Sequence, residues 1–315
     1  MKIRNLIFGI SLLPYLFVAC NPKEEENNFE ILSEEFKTIL PEDATIEILA
    51  RGFQFTEGPA WHPAGYLLFS DIPANTVYRW SREDSISVHQ QPSGNSNGLA
   101  FDQKDNLLLC QHGPRQLAKM VGDSMKVLTS HYQGKRFNSP NDLVIANSGA
   151  IYFTDPPWGL PKNQNDPAKE LDFNGVYRYF NDSLTLLIDS LTWPNGIALS
   201  PNEKFLYVGS YQNDAPRWYR YELNEEGIPV AGSLFFDAAE FGNNHPDGMA
   251  VDVEGNLYCT GPRGVLVLSP AGKLLGIIKP AELPANCTFG GEDGKTLFMT
   301  ARKGLYAVKL NVVGL

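Results

Sequence analysis

Six segments of the sequence share one pattern: a polar residue, a short apolar run, a turn rich in Gly, Asn or Asp, and a second apolar run. Their first residues are spaced 40, 44, 54, 52 and 39 positions apart. Carboxylate and carboxamide oxygens at these positions are ligands that hard divalent cations prefer. The six first residues are Glu57, Asn97, Asn141, Asn195, Asp247 and Asn286.

Local turn chemistry is the alternative explanation for each polar residue taken singly, because Asn and Asp followed by Gly are common in loops. Glu57 argues against it, since Glu is not a turn former. Two buried carboxylates without a cation would repel, and one would be driven to its neutral form. We therefore expect one divalent cation, Ca²⁺ first, with Mg²⁺, Mn²⁺ or Zn²⁺ as alternatives. His112 and His245 are either supplementary site residues or ordinary loop histidines.

The repeat also predicts the architecture. Units of roughly 40 to 50 residues with four short strands are typical of β-propeller blades, and no unit contains an amphipathic helix longer than about two turns. A two-sheet sandwich would not repeat one hairpin six times. The sequence therefore predicts an all-β, six-bladed β-propeller over residues 36–315, in which equivalent positions converge on the central axis. Insertions at Pro156–Phe173 and Tyr211–Trp218 are predicted to be loops covering one face.

The first twenty residues predict a secretory signal. Lys2 and Arg4 precede an apolar stretch over residues 6–18 that is too short to cross a bilayer. Cys20, directly after Ala19, is typical of a bacterial lipoprotein, in which this cysteine is acylated. An ordinary signal peptide with an incidental cysteine is the alternative. We predict a lipoprotein signal over residues 1–20, lipidation at Cys20 and a lipid-anchored protein of the cell envelope.

Residues 21–35 begin with a polar, charged run and are predicted to be a flexible tether. The run Lys-Glu-Glu-Glu at 23–26 is similar to a surface-export signal of bacterial lipoproteins, although a solvated acidic linker would look the same. The sequence is therefore compatible with both the periplasmic side and the surface-exposed side of the outer membrane as the location of the protein. The formal net charge of −10 argues against nucleic acid and anionic membrane surfaces as partners. Membrane contact is expected through the lipid only, and the oligomeric state is not indicated.

Several longer motifs lie between Phe55 and Ala301, among them "FTEGPAWHP", "GKRFNSPNDLVI", "PNGIALSPNEKFLYV" and "PDGMAVDVEGNLY". With them the chain resembles the gluconolactonase, regucalcin and drug-responsive lactonase family, whose members are six-bladed propellers with a divalent metal in the central channel. The resemblance implies substrate contacts at Asn97 and Arg136 and a channel-facing His112. It implies metal ligands at Glu57, Asn141, Asn195 and Asp247.

The implied activity is metal-dependent hydrolysis of a lactone, such as a sugar lactone, to its hydroxy acid. The metal would act as a Lewis acid, and Asp247 is the candidate general base. Two alternatives stay open: hydrolysis of other esters or phosphotriesters by the same metal, and a non-catalytic ligand-binding lipoprotein with a structural Ca²⁺. Serine catalysis is poorly supported because the sequence contains no G-x-S-x-G.

Overall fold

The computed structural model describes residues 28–122 and 124–315. The predicted signal peptide, Cys20 and the first part of the predicted tether lie outside these residues. None of the helices in the described ranges is long and apolar enough to cross a membrane.

Six antiparallel sheets form the body of the protein, and the predicted six-bladed all-β architecture is confirmed. Three elements precede the first blade: β1 (Phe29–Ile31), α1 (Glu34–Ile39) and β2 (Ile46–Arg51). Blade one contains β3 (Thr56–His62), β4 (Tyr66–Asp71), β5 (Thr76–Ser81) and β6 (Ser85–Gln90). Blade two contains β7 (Ser96–Phe101), β8 (Leu107–Gln111), β9 (Gln116–Val121) and β10 (Ser124–Thr129). A two-stranded ribbon follows, made of β11 (His131–Tyr132) and β12 (Lys135–Arg136).

The other blades continue in chain order. Blade three contains β13 (Leu143–Ile145), β14 (Ile151–Asp155), β15 (Gly175–Phe180) and β16 (Ser183–Ile188). Blade four contains β17 (Pro194–Leu199), β18 (Phe205–Gln212), β19 (Ala215–Leu223) and β20 (Pro229–Asp237). Blade five contains β21 (Met249–Val251), β22 (Leu257–Gly261), β23 (Gly264–Leu268) and β24 (Leu274–Ile278). Blade six contains β25 (Asn286–Gly290), β26 (Thr296–Ala301) and β27 (Gly304–Lys309). Single 3₁₀ turns occur at Asn163–Asn165 and Ala239–Phe241.

The first strand of each blade is innermost, and each contacts the first strand of the next blade in a closed ring. The last blade receives its outermost strand from the other end of the chain, because β2 pairs antiparallel with β27. The strand β1 adds a fifth strand to blade five by pairing with β24. The domain therefore starts earlier than the predicted boundary at residue 36, and the predicted tether extends too far. A three-residue edge strand is too short to show a period in the sequence.

The core lies between the blades, where most positions of the second strands are buried. The strands β8 and β22, with sequences LLLCQ and LYCTG, are buried at every position. A strand with both faces buried has no solvent-facing side, so its sequence does not alternate between apolar and polar residues. It is instead a continuous apolar run. Trp218 of blade four, for example, packs in one cluster with Met249 and Leu266 of blade five. These packed blades hold the inner strands, and so the channel, in place.

Candidate active site at the channel mouth

The polar residues that begin the inner strands point into the channel because the local strand geometry is irregular. In blade one the pairing of β3 with β4 shifts register between Glu57 and Ala60. In blade two the shift spans Asn97, and in blade four it spans Asn195. A bulge re-aims a side chain that regular pleating would place on a sheet face. The irregularity therefore aims these polar groups at the axis.

The glycine that follows four of these polar residues allows the inner strands to approach closely. A Cβ atom on Gly58 would lie 2.0 Å from the backbone oxygen of Asn97, and one on Gly196 would lie 2.1 Å from that of Asp247. Both distances are far below van der Waals contact, so only glycine fits. The repeated polar–Gly pair is thus also a packing requirement of the ring.

One cavity of about 430 Å³ opens at this end of the channel. The structure brings most of the predicted site residues together in its lining: Glu57, Asn97, His112, Asn141, Asn195 and Asp247. Trp158, His245 and Arg302 line the same cavity. Oxygen-bearing groups form its floor, and aromatic and aliphatic groups form much of its wall.

Asn286 does not occupy the sixth equivalent position. The backbone N–H of Gly98 donates to the oxygen of Asn141 at 2.8 Å, and in the same way the N–H of Gly248 donates to Ala285 at 2.8 Å. Ala285 is therefore the equivalent of Asn141 and lines the mouth cavity, whereas Asn286 lines a second cavity of about 440 Å³. The expectation that six side-chain oxygens converge in one volume is wrong for this blade, because the repeat was aligned on polar residue types.

Asp142 lies one residue further along its strand than the site residue Asn141 and, like Asn286, lines the second cavity. Its carboxyl accepts hydrogen bonds from the N–H of Leu143 at 3.0 Å and from the side chain of Asn286. Burial, and then the charge of Glu57, raise the pKa of Asp142 to about 7. Asp142 is therefore a third buried acid in the channel.

A chain of amides fixes the carboxamide groups in the mouth cavity. The side-chain amide of Asn97 donates to Oδ1 of Asn141, whose amide donates to Oδ1 of Asn195. The amide of Asn195 donates to the backbone oxygen of Pro246 at 3.1 Å. His112 Nε2 lies 3.2 Å from Oδ1 of Asn141, and burial lowers the pKa of His112 to about 4. The imidazole is therefore neutral at pH 7.

Glu57 and Asp247 form a carboxyl pair in hydrogen-bonding contact. Glu57 is only 3% exposed, whereas Asp247 is partly exposed to the cavity although its carboxyl is enclosed by protein atoms. Burial raises the pKa of Glu57. Burial raises the pKa of Asp247 well above its usual range, and the neighbouring charges of Glu57 and Asp142 raise it further. Without a cation, the pair shares at least one proton.

The donor set fits a hard divalent cation. The described ranges contain no group of three or more His, Cys, Asp and Glu placed as a metal site, but the ligands expected here are two carboxylates and two amide oxygens. All four are oxygen donors, which suit Ca²⁺, Mg²⁺ or Mn²⁺, whereas Zn²⁺ sites are rich in His and Cys. A charge of +2 would balance the acid pair and relieve its repulsion.

Arg136 is not among the residues that line the mouth cavity. Its guanidinium donates to the backbone oxygen of Pro114 at 2.8 Å, and its N–H donates to the carboxylate of Glu170 at 2.8 Å. The lining contains a different arginine, Arg302, from the two-residue turn between β26 and β27. No repeated pattern marks Arg302 in the sequence, because the turn lies outside the repeated hairpin.

The rings of Trp158 and His245 form one wall of the cavity, and the rings of Trp193 and Tyr211 pack against them. Trp158 belongs to the predicted loop insertion of blade three, and it stacks on Trp193 with ring centroids 4.4 Å apart. His245 packs edge-on against Trp158 at 5.1 Å and stacks on Tyr211 at 4.0 Å. The prediction that Tyr211–Trp218 is a loop is wrong, because β18 and β19 run through this segment and leave only a two-residue turn. For Pro156–Phe173 the sequence predicted a loop covering one face, but not which of its side chains would line the cavity.

Fold and site together define a six-bladed β-propeller with a buried acid pair and oriented carboxamides at its channel mouth. The chain belongs to the SMP-30/Gluconolactonase/LRE-like family, whose model matches residues 55–303.

Named relatives are similar over most of their length. The chain is 37% identical over 308 residues to a gluconolactonase of Zymomonas mobilis, covering 90% of this chain and 86% of the relative. It is 37% identical over 262 residues to a 6-deoxy-6-sulfogluconolactonase of Pseudomonas putida, covering 78% and 83%. The solved structure of a gluconolactonase from Xanthomonas campestris superposes with a TM-score of 0.81 at 32% identity, covering 90% of this chain and 94% of that one.

Proposed function

We propose that this protein opens a lactone, with a sugar lactone as the first candidate, to the corresponding hydroxy acid. The observation that carries the proposal is the Glu57–Asp247 pair, set among carboxamides on the floor of a cavity of about 430 Å³. That volume suits a small ligand. Two relatives at 37% identity are named gluconolactonase and 6-deoxy-6-sulfogluconolactonase, which supports the same reaction class.

The proposal includes a divalent cation, Ca²⁺ first. When bound, such a cation polarises the ester carbonyl and lowers the pKa of a water molecule. The residues that would hold it are Glu57, Asn141, Asn195 and Asp247. The side-chain amides of Asn141 and Asn195 are already oriented by the hydrogen-bonded chain that they form with Asn97 and Pro246.

Asp247 is the proposed general base. It is the member of the acid pair that is partly exposed to the cavity, whereas Glu57 is enclosed. Asp247 would take a proton from the attacking water while the water oxygen bonds to the carbonyl carbon. The ring C–O bond then breaks, and the proton passes to the departing alkoxide oxygen. The products are one carboxylic acid and one alcohol on the same molecule.

Asn97 and neutral His112 are the proposed orienting groups. Both line the mouth cavity beside Asn141. An amide and an uncharged imidazole can bond to substrate hydroxyls without competing for the cation's charge. Arg136 is placed away from this lining, so we do not assign it to substrate binding.

The test is a lactone panel led by D-glucono-1,5-lactone, assayed before chelation, after chelation and after separate re-addition of Ca²⁺, Mg²⁺, Mn²⁺ or Zn²⁺. Activity should disappear with chelator and return with a cation. Asp247→Asn should lower kcat by about 10²-fold or more, the usual contribution of a general base. The control is Asp172→Asn, whose side chain is 94% exposed. Full activity in chelator would refute the cation dependence, and an unchanged kcat in Asp247→Asn would remove Asp247 as the base.

Two other results would assign a different function. Hydrolysis of phosphotriesters or acyclic esters without lactone opening would place the protein in another hydrolase class. Calcium binding with no turnover of any substrate would indicate a ligand-binding protein.

We further propose that the mature protein is anchored in the cell envelope through lipid on Cys20. The support is the sequence at residues 1–20 alone. Cys20→Ala should abolish lipid labelling and release the protein from the membrane fraction. Continued membrane association of the unlabelled variant would refute the anchor.

A further inference from the structure

Arg302 is a charged group of the mouth cavity that the proposed reaction does not use. Its guanidinium makes no hydrogen bond or ion pair within the described chain. It lies over the ring of Phe55, with its central carbon 5.3 Å from the ring centroid. Both Arg302 and Phe55 line the cavity. An arginine fork that is held by a ring but has no acceptor is available to a ligand.

The backbone places Arg302 beside the acid pair. The oxygen of Arg302 accepts from the N–H of Thr56 at 2.8 Å, next to Glu57 in the chain. The guanidinium charge favours the ionised forms of Glu57 and Asp247, which shows that it lies within electrostatic reach of both. It nevertheless forms no ion pair with either carboxylate.

Residue 302 also adopts a conformation that few arginines take. Its φ of +50° lies in the left-handed region, where side chains other than Gly, Asn and Asp are uncommon. A glycine would relieve this strain, but it would remove the guanidinium. Arg263, at the corresponding turn of blade five, also has a positive φ, so this conformation belongs to the turn and does not by itself mark a site.

The charge of the whole lining points to the ligand class. Besides two histidines, the groups of the lining that can carry a charge are the carboxyls of Glu57 and Asp247 and the guanidinium of Arg302. A divalent cation would cancel the two carboxylates, which leaves the charge of Arg302. The cavity of an otherwise acidic protein then carries net positive charge.

We propose that Arg302 is a binding site for a second, anionic group of the substrate, so that the preferred lactone carries a carboxylate, sulfonate or phosphate away from its ester. This substrate class rests on the proposed lactonase function. The anionic group would accept a charge-assisted, bidentate hydrogen bond from the guanidinium, while the ester lies over the acid pair.

The test compares binding of two hydrolysis products that differ by one charge. Isothermal titration of the Ca²⁺-saturated protein would use D-gluconate, with one carboxylate, and D-glucarate, with a second carboxylate at the far end. We expect D-glucarate to bind about tenfold more tightly or better, since a hydrogen bond to a charged group contributes at least that much. Arg302→Gln should reduce this preference to about twofold or less, and Arg302→Lys should retain part of it.

Arg263→Gln is the matched control. Arg263 lies at the corresponding turn of blade five, has a positive φ of +72° and lies over a Phe ring. Its guanidinium instead binds Glu30 at 2.6 Å. This variant should keep the wild-type preference.

Three results would overturn the proposal. The wild type could show no preference for D-glucarate, Arg302→Gln could keep the preference, or Arg302→Gln could weaken both acids equally. The last result would place Arg302 on the carboxylate formed from the ester. Because titration needs no turnover, a wild type that opens no lactone would refute the proposed function and still decide whether Arg302 binds an anionic group.

Discussion

The side chain of Asn286, from blade six, hydrogen-bonds the carboxyl of Asp142, from blade three, across the channel of the propeller. Asn286 also bonds Glu57, and its own oxygen accepts from the N–H of Cys287 at 2.8 Å. One amide therefore supports two buried carboxyls beneath the proposed cation site. The contact closes the polar floor between the two cavities of the channel.

Replacing Asn286 with Ala should remove a donor from both Asp142 and Glu57. Buried polar groups that lose their partner cost about 1–3 kcal/mol each, so we expect a loss of about 2–3 kcal/mol in the free energy of unfolding. Denaturant titration in chelator would measure it. Asn311→Ala is the control, because that exposed amide bonds only the backbone oxygen of Thr38. A loss no larger than the control's would show that the amide does not support the acids.

The sequence predicted the number of blades, the innermost strands and the convergence of Glu57, Asn141, Asn195 and Asp247. It could do so because each blade repeats one hairpin, and because glycine is required where neighbouring inner strands touch. The predicted alignment of the repeat in blade six was wrong by one residue, because the equivalent residue is Ala285, which has no polar side chain. The fifth strand of blade five was missed because edge strands are fixed by the surface that they join, not by a pattern of their own.

Arg302 and the aromatic wall were beyond the sequence for a different reason. Each lies on a turn or loop at the channel mouth, and its direction depends on how separate blades meet. A sequence pattern that repeats within each blade carries no information about the contacts between blades. Arg136 is the opposite case. It lies in the motif "GKRFNSPNDLVI", which resembles the family, but it does not line the mouth cavity.

A bound cation should stabilise the folded protein, because it replaces repulsion within the Glu57–Asp247 pair by attraction. At a free Ca²⁺ concentration of about one hundred times the dissociation constant, the expected gain is about 2.7 kcal/mol. Thermal unfolding with Ca²⁺ and with chelator would measure it. Glu57→Gln should lose most of the gain, whereas the exposed control Glu225→Gln should keep it. A full Ca²⁺ shift in Glu57→Gln would contradict the assigned ligand.

In chelator the same Glu57→Gln substitution should not destabilise the protein. It removes one of two buried like-charged groups, and it keeps the shape and part of the hydrogen bonding. A variant that is weaker than wild type without the cation would mean that Glu57 is required for the fold itself.

His112 should make stability fall as the pH is lowered. The folded-state pKa of about 4 lies below the ordinary value near 6.5, so the unfolded chain binds more protons between these two values. The contribution is complete above pH 6.5 and is lost as the pH falls towards 4, by about 2–3 kcal/mol. His112→Gln should lack this component, so the stability difference between the two proteins should change with pH in that window. A difference that stays constant from pH 7.5 to pH 4.5 would refute the prediction.

Trp158 should determine how tightly substrate binds more than how fast it reacts. The indole lines the cavity, and its N–H is buried without a hydrogen-bond partner in the protein. A substrate oxygen can supply that partner, and the ring face can pack on the lactone. Trp158→Phe keeps a ring on Trp193 but removes the N–H, and it should raise KM about five- to tenfold, the equivalent of one hydrogen bond, with kcat changed less.

Trp158→Ala should raise KM further, because the packing surface is lost as well. Trp193→Phe is the control, since Trp193 supports the wall from behind and does not line the cavity. Steady-state kinetics on the best lactone of the panel would separate the cases. If Trp158→Phe matches the wild type while Trp158→Ala is impaired, the ring face binds substrate and the indole N–H does not. If both variants lose kcat with KM unchanged, the wall positions the reacting atoms instead of holding the substrate.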